Sequence, residues 1–238
     1  MPTTRPLARF AATLAGAALL TSALTVQARE LSVSTVLSDA FPWGQAAQKW
    51  AELVEERSDG ELTLRVYPNA QLVSGDQTQE FSAMRSGLID LAVGSTINWS
   101  PQVPALNLFS LPFLLPDEEA VDAVTGGEAG QMIFSAIEDK GVVPLAWGEN
   151  GFRHMTNSKR PIKTPQDASC LKMRTMENKV HMDGYKSFGI LPTPMAFTEL
   201  FTALQQGTVD GQENPIPVIL AAKFAQVQKH LSLTGHVY

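Results

Sequence analysis

Two arginines stand in sequence contexts suited to binding an anionic ligand. Arg174 lies within the segment Leu171–Thr175, whose alternation predicts a β-strand in which Lys172 and Arg174 share one face. Arg153 lies in another predicted strand. A guanidinium keeps its charge when it is desolvated, and it can form two parallel hydrogen bonds with a carboxylate. Both arginines are therefore candidate partners of a carboxylate, although surface arginines look the same in a sequence.

Sequence motifs of catalysis and metal binding are absent. The chain holds no G-x-S-x-G, H-E-x-x-H, C-x-x-C, P-loop or G-x-G-x-x-G pattern. Its histidines fall at no metal-ligand spacing and are predicted to be surface or locally hydrogen-bonded residues: His154, His181, His230 and His236. The single cysteine, Cys170, is predicted to be a small, partly buried side chain rather than a nucleophile. The sequence thus predicts no catalytic residue, no metal site and no cofactor.

The first 28 residues have the organisation of a secretory signal. Arg5 and Arg9 precede an uncharged apolar run over residues 10–26, which closes with small residues at Val26 and Ala28. This run is shorter than the roughly 20 residues that span a bilayer, so an uncleaved membrane anchor is the weaker alternative. We predict cleavage after Ala28 and export to the periplasm of a Gram-negative bacterium. The mature protein is then not itself membrane-spanning.

The composition argues against nucleic-acid binding. The 238 residues carry a formal net charge of -6, and the 18 basic residues are scattered along the chain. A nucleic-acid-binding protein gathers lysines and arginines on one face. Hydrophobic residues make up 44% of the chain, which suffices for one large packed domain or two modest ones.

Alternating strand-like and helix-like segments predict an α/β fold with parallel strands, in two domains. The first domain is predicted to span residues 29–150 and the second residues 151–238, with a ligand cleft between them. In the first we predict strands at 31–36, 62–67, 89–93 and 142–147, helices at 42–58 and 75–86, one or two helices at 118–140, and a buried extended segment at 101–116. In the second we predict strands at 152–156, 171–175 and 231–234, helices at 180–188 and 197–206, and a turn at 191–194. The chain stops directly after the last strand, which we interpret as an interruption.

Short motifs distributed along the whole chain after the signal identify a family. They are Tyr67–Leu72, Leu111–Phe113, Gly151–Arg153, Thr156–Asp167, Leu171–Arg174, Pro192–Leu200, Ala203–Gly207 and Val209–Pro215. In this order the sequence resembles the solute-binding proteins of TRAP (tripartite ATP-independent periplasmic) transporters, the C4-dicarboxylate-binding or DctP-like family. The resemblance implies a two-domain, periplasmic-binding-protein-like fold of class II type. It also implies a monomer that closes on a small organic carboxylate and delivers it to a small and a large membrane subunit.

The resemblance assigns expected roles to individual residues. Arg174 matches the carboxylate-binding arginine of the family, and Arg153 matches its second ligand-region arginine. Asn214 matches a polar residue in the D-G-Q-E-N-P turn, and Phe197 matches the ring that packs against the ligand. Residues close to these motifs are further cleft candidates: Met176, Glu177, Asn178, Trp99, Trp147, Glu149 and Asn150.

Two features depart from the family pattern, and two questions stay open. Cys170 stands where the family has a glycine, and a cysteine costs about 1 kcal/mol there if the position has positive φ. The family also continues well beyond Tyr238, which implies that a C-terminal portion is missing. The ligand could be a C4-dicarboxylate, a sugar acid, another hydroxy- or keto-acid, or an aromatic acid. The alternatives to a transport function are a secreted, hydrolase-like enzyme and a ligand-binding sensor on the same fold.

Overall fold

The N-terminal part of the chain forms a parallel sheet in this computed structural model, which describes residues 28–238. Strands β1 (Arg29–Thr35), β2 (Leu62–Tyr67) and β3 (Leu91–Val93) are ordered β2-β1-β3. Parallel neighbours need a crossover connection, and helix α1 (Pro42–Arg57) supplies it between β1 and β2. The fixed φ of Pro42 suits a first helical turn. The predictions for these four elements are confirmed, with small shifts at their ends.

Helices on either side of β3 in the chain build the core of the first half. Their bounds are α2 (Glu80–Ser86), which precedes β3, then α3 (Thr96–Trp99), a 3₁₀ helix at Pro104–Ser110, α4 (Glu118–Gly126) and α5 (Glu128–Glu138). Phe81, Leu106, Phe109 and Ile133 are buried together in one cluster. The predicted interruption near residues 126–127 is confirmed, because α4 and α5 are separate helices that meet at Gly127.

A second, mixed sheet follows in the chain. Its strands are β4 (Arg153–Asn157), β5 (Lys172–Thr175), β6 (Leu191–Pro194), β7 (Gly211–Pro215) and β8 (His230–Ser232), ordered β6-β5-β7-β4-β8. β5 is parallel to β6 and β7, whereas β4 is antiparallel to β7 and β8. The expectation of parallel strands throughout is therefore wrong for β4. An irregular segment rather than a crossover helix leads into β4, so no connection obliges it to run parallel.

Three helices lie between consecutive strands of the second sheet along the chain: α6 (Lys179–Ser187), α7 (Phe197–Gln206) and α8 (Ile216–Ala221). Asn178 caps α6, because its side chain accepts a hydrogen bond of 2.7 Å from the backbone N–H of His181. α7 ends at Gly207, which has φ of 72°, a left-handed conformation that glycine adopts without strain. The predicted helices at 180–188 and 197–206 are confirmed.

Two predictions fail in the first half of the chain. Residues 142–147 form no strand, and Val143 and Leu145 are 71% and 64% exposed. A strand requires a hydrogen-bonded neighbour, and within residues 28–238 β3 pairs only with β1. Residues 101–116 are not extended but contain the 3₁₀ helix, which buries Leu106 and Phe109.

The predicted turn at 191–194 is wrong as well, because these residues form strand β6. Pro192 and Pro194 lie in register with Met173 and Thr175 of β5. Proline lacks a backbone N–H and is therefore tolerated mainly in edge strands, and β6 is the edge of its sheet.

The exposure of the Cys170 side chain differs from the prediction, whereas its φ angle is the positive one that the sequence analysis considered. The side chain is exposed rather than partly buried. Its φ is 61°, so the position does have the left-handed conformation in which a glycine is less strained. Its backbone N–H donates to the carbonyl of Gly189 at 2.8 Å, which fixes the turn that leads into β5.

The two sheets share no strand. Within residues 28–238, no helix is long and apolar enough to cross a membrane. The predicted domain boundary between residues 148 and 153 stays a prediction. The predicted signal over residues 1–28 lies, except for Ala28, outside the described residues.

Candidate ligand-binding site

A small cavity lies where strands of both sheets end. Val36 and Leu37 follow β1, Ser95 follows β3 and Met176 follows β5, and all four line it. Ligands of α/β sheets bind outside the carboxyl ends of the strands. The other lining residues are Trp43, Gln77, Asn98, Asn150, Arg153, Arg174, Phe197, Asn214 and Val218. The volume is about 30 Å³. A molecule bound there would contact both halves of the chain at once.

Arg174 places a buried cation in this cavity. The residue is 1% exposed, and its Nε and Nη2 donate to the carbonyl of Met195 at 3.0 and 2.8 Å. Its guanidinium carbon lies 6.0 Å from the centroid of the Phe197 ring. Burial lowers the pKa of Arg174 to about 10. No carboxylate of residues 28–238 forms a salt bridge with it, so its charge has no anionic partner in the described part of the chain.

Arg153 also lines the cavity, but its charge is compensated. Its Nε and Nη2 donate to the two carboxylate oxygens of Glu213 at 2.5 and 3.0 Å, and the two side chains are 2% and 0% exposed. Burial by itself would lower the pKa of Arg153, but the Glu213 carboxylate outweighs it and the pKa is raised. Arg153 and Glu213 are therefore a buried ion pair, which adds no net charge to the site.

Asn214 connects this ion pair to a buried chain of polar side chains. Its Oδ1 accepts from Nη2 of Arg153 at 3.1 Å, and its Nδ2 donates to Gln212 at 2.6 Å. Gln212 in turn donates to Thr156 at 2.9 Å. The D-G-Q-E-N-P motif is not the turn that the resemblance suggests, because residues 211–215 form β7. Pairing with β4 holds the amide of Asn214 at the cavity.

Phe197 forms an apolar wall of the site. It is the first residue of α7, and its ring packs edge-on against Phe41 with centroids 5.9 Å apart. Phe197 and Phe41 pack against a buried cluster of Val36, Leu37 and Val218. Three of the lining residues thus offer aliphatic surface beside the cation of Arg174.

Two histidines, His181 and His236, are buried behind the cavity rather than at the surface. His236 meets the other half of the prediction, a local hydrogen bond, because its Nδ1 is bonded to the Thr234 hydroxyl at 2.6 Å. His181 and His236 are 0% and 1% exposed, and the Nε2 atom of each lies 3.6 Å from a Glu213 carboxylate oxygen. Burial lowers the pKa of His236, although Glu213 opposes this. Burial would raise the pKa of Glu213, but Arg153 and then the histidines hold it well below its usual range. Burial also raises the pKa of Tyr185 well above its usual value, and its hydroxyl is bonded to Nε2 of His236.

The other predicted site residues take three different positions. Met176 lines the cavity. Asn178 does not: besides capping α6, its Nδ2 donates to Asn107 at 2.9 Å, which joins α6 to the 3₁₀ helix of the first half. Glu149 is exposed and lies at a larger, adjoining cavity of about 860 Å³, which is lined in part by residues 90–97 and 141–150 and shares Ser95, Asn150 and Arg153 with the small cavity.

Sequence reasoning gave no role to three neutral residues that line the cavity from the first half. Gln77, Ser95 and Asn98 carry no motif, and Glu213 lies in a quoted motif without an assigned role. The position of Ser95 just after β3 is a signal that could have been used, because strand ends gather at such sites. Within residues 28–238, no three histidine, cysteine or acidic side chains are placed to hold a metal ion.

Comparisons with known proteins agree with the motifs. Residues 33–238 match the family described as bacterial extracellular solute-binding protein, family 7 (DctP). A curated solute-binding protein from Verminephrobacter eiseniae is 50% identical over 195 residues, which is 82% of this chain and 58% of that protein. The chain therefore spans little more than half the length of this curated relative.

Two solved structures are also similar. A TRAP periplasmic solute-binding protein from Ralstonia eutropha, with bound (S)-2-hydroxy-2-methyl-3-oxobutanoate, is 52% identical with a TM-score of 0.86; the match covers 87% of this chain and 67% of that one. A second, from Polaromonas sp. JS666 and bound to D-erythronate, is 51% identical with a TM-score of 0.83 and coverages of 88% and 68%. The resemblance and the fold class inferred from the sequence are confirmed, and the chain belongs to the bacterial extracellular solute-binding protein family 7.

Proposed function

We propose that this protein is the extracytoplasmic solute-binding receptor of a TRAP transporter, which captures a small organic carboxylate and delivers it to the membrane subunits. The single observation that carries the proposal is Arg174. A buried guanidinium without a carboxylate partner is costly, and a ligand carboxylate would supply the missing charge. The site residues we propose are Arg174, Asn214, Phe197 and Met176, with Arg153 held beside them by Glu213.

The position of the cavity supports capture by closure. Gln77 and Asn98 come from the first half of the chain, whereas Arg174 and Asn214 come from the second. A ligand that contacts all four residues stabilises a closed arrangement of the two halves relative to an open one. The stabilisation comes from the contacts that the ligand makes only in the closed arrangement. This is the behaviour expected of a receptor that presents a loaded, closed form to membrane subunits. We place that receptor in the periplasm.

No specific observation favours either alternative function, the secreted enzyme or the sensor. A hydrolase needs a nucleophile at the cavity, and the only hydroxyl or thiol among the residues that line it belongs to Ser95. The Ser95 hydroxyl caps α3 by accepting from the backbone N–H of Ile97 at 3.2 Å, and no histidine is hydrogen-bonded to it within residues 28–238. A sensor would use the same cavity, so only a test for transport with the membrane subunits separates it from a receptor.

Ligand binding that depends on Arg174 tests the proposal. The two related structures make D-erythronate and (S)-2-acetolactate the first ligands to try. A ligand at 100 times its Kd stabilises the protein by about 2.7 kcal/mol, which corresponds to a rise in melting temperature of about 5–10 °C. Arg174→Ala should weaken binding about 30-fold or more, because a charge-assisted pair is lost.

Lys172→Ala is the matched control, since Lys172 lies two residues away on the same strand and is exposed. It should leave the affinity unchanged. Equal affinity for the carboxylate in the wild type and in Arg174→Ala, measured by titration calorimetry, would refute the proposed role of Arg174. Absence of binding to every short carboxylate in a broad panel would refute the proposed function itself.

A further inference from the structure

The charges that face the cavity add up to a single positive charge. Arg153 and Glu213 cancel, and Arg174 is unpaired among the described residues. The remaining lining residues are neutral, with amides at Gln77, Asn98 and Asn150. Tyr185, which packs behind the ion pair, stays protonated at neutral pH because burial raises its pKa. One unpaired cation in a buried site can compensate one carboxylate.

A second carboxylate on the ligand would find no cation. The other polar lining groups are the amides, the Ser95 hydroxyl and the indole of Trp43, and none of these carries charge. The apolar side chains of Val36, Leu37 and Val218 also line the cavity. An ionised carboxylate placed there would be desolvated without a charged partner, which is strongly unfavourable.

Two of the amides have unused hydrogen-bonding capacity. Asn98 accepts from Gln77 at 3.1 Å through its Oδ1, and its Nδ2 has no acceptor among residues 28–238. The side chain of Asn150 forms no hydrogen bond within the described part of the chain and lines the same cavity. An amide both donates and accepts, which matches a hydroxyl group and not an ammonium or a carboxylate alone.

From this charge count and these free amides, we propose that the site selects a monocarboxylate with hydroxyl groups along its chain, and rejects dicarboxylates. The proposal rests on the proposed function, in which Arg174 holds the carboxylate. Of the ligand classes that the sequence leaves open, the structure thus points to a hydroxy-acid.

Three four-carbon acids test the charge and the hydroxyl groups separately. D-Erythronate and meso-tartrate differ only at the far end, where tartrate has a carboxylate in place of a hydroxymethyl group. Butanoate keeps the carboxylate and lacks the hydroxyls. Titration calorimetry of the purified wild-type protein should give the highest affinity for erythronate. Tartrate should bind about 100-fold more weakly or worse, because its second charge stays unpaired.

Asn150→Ala separates the hydroxyl contacts from the charge. Because Asn150 has no partner within residues 28–238, the variant should fold like the wild type. It should bind erythronate about five- to tenfold more weakly and butanoate unchanged, as expected for the loss of one hydrogen bond.

Each outcome bears on a different claim. Tartrate binding as tightly as erythronate, with both lost in Arg174→Ala, overturns the selection for monocarboxylates and leaves the proposed function standing. Butanoate binding as tightly as erythronate overturns the role of the hydroxyls. If none of the three acids binds, the inference is overturned, and only the broad carboxylate panel decides whether the proposed function falls with it.

Discussion

Replacing the buried cation of the site should stabilise the unliganded protein while it abolishes ligand binding. Arg174 is 1% exposed and forms no salt bridge within residues 28–238, so burial penalises its charge more than the nearby Glu213 carboxylate compensates it. Arg174→Met removes the charge and keeps an unbranched apolar stem of similar length. A charged residue that is retained for ligand binding should lower the stability of the folded protein when the ligand is absent.

The size of the effect follows from the pKa of Arg174. Burial lowers this pKa from its usual 12.5 to about 10. At about 1.4 kcal/mol per pKa unit, keeping the group charged at pH 7 destabilises the folded protein by about 3 kcal/mol. Because the pKa of this cation is lowered by folding, its charge destabilises the folded protein at neutral pH. This loss of stability disappears as the pH rises above the pKa of Arg174 in the folded state. The variant also loses the donors to the Met195 carbonyl, worth about 1–2 kcal/mol, so the net gain is about 1–2 kcal/mol.

Melting followed by circular dichroism, without ligand and at pH 7, measures the difference. A gain of this size should raise the melting temperature by about 2–8 °C in a protein of this length. Lys172→Met is the control, because this exposed residue on the same strand should change stability by about 0.5 kcal/mol or less. A lower melting temperature for Arg174→Met than for the wild type would show that the guanidinium is compensated in the fold, and the charge argument for the site would fail.

Three further substitutions test the physics of the buried groups. Glu213→Gln leaves the Arg153 charge unpaired, so urea titration should show a loss of about 3–5 kcal/mol; a loss below 1 kcal/mol would argue against the ion pair. Burial raises the pKa of Glu80 from 4.5 to about 7, so the wild type should lose about 3 kcal/mol relative to Glu80→Gln as the pH rises from 4.5 to 8; parallel stability curves would contradict this. Cys170→Gly relieves a positive φ of 61°, and should raise the melting temperature by about 2 °C after the greater chain entropy of glycine is counted; a lower melting temperature would show that the cysteine is well accommodated.

The helices were the most predictable elements, because their signals are local. Pro42 at the start of α1, the apolar spacing of α7 and Gly207 at its end each act within a few residues of the chain. The strand at 142–147 failed for the opposite reason. Its apolar residues resemble those of a strand, but strand formation needs a neighbour, and the sequence alone does not show whether one lies beside it.

The same contrast applies to the site. The sequence by itself determined the family, the fold class and the arginines that face the cavity, because these depend on residue types in fixed motifs. Only the tertiary structure decided that Glu213 neutralises Arg153 while Arg174 stays unpaired, and that Asn178 joins two helices instead of lining the cavity. Net charge and free donors at a site are set by contacts between residues such as 153 and 213, which are 60 positions apart. No local sequence pattern encodes the contact between Arg153 and Glu213, because this contact depends on how β4 and β7 pair.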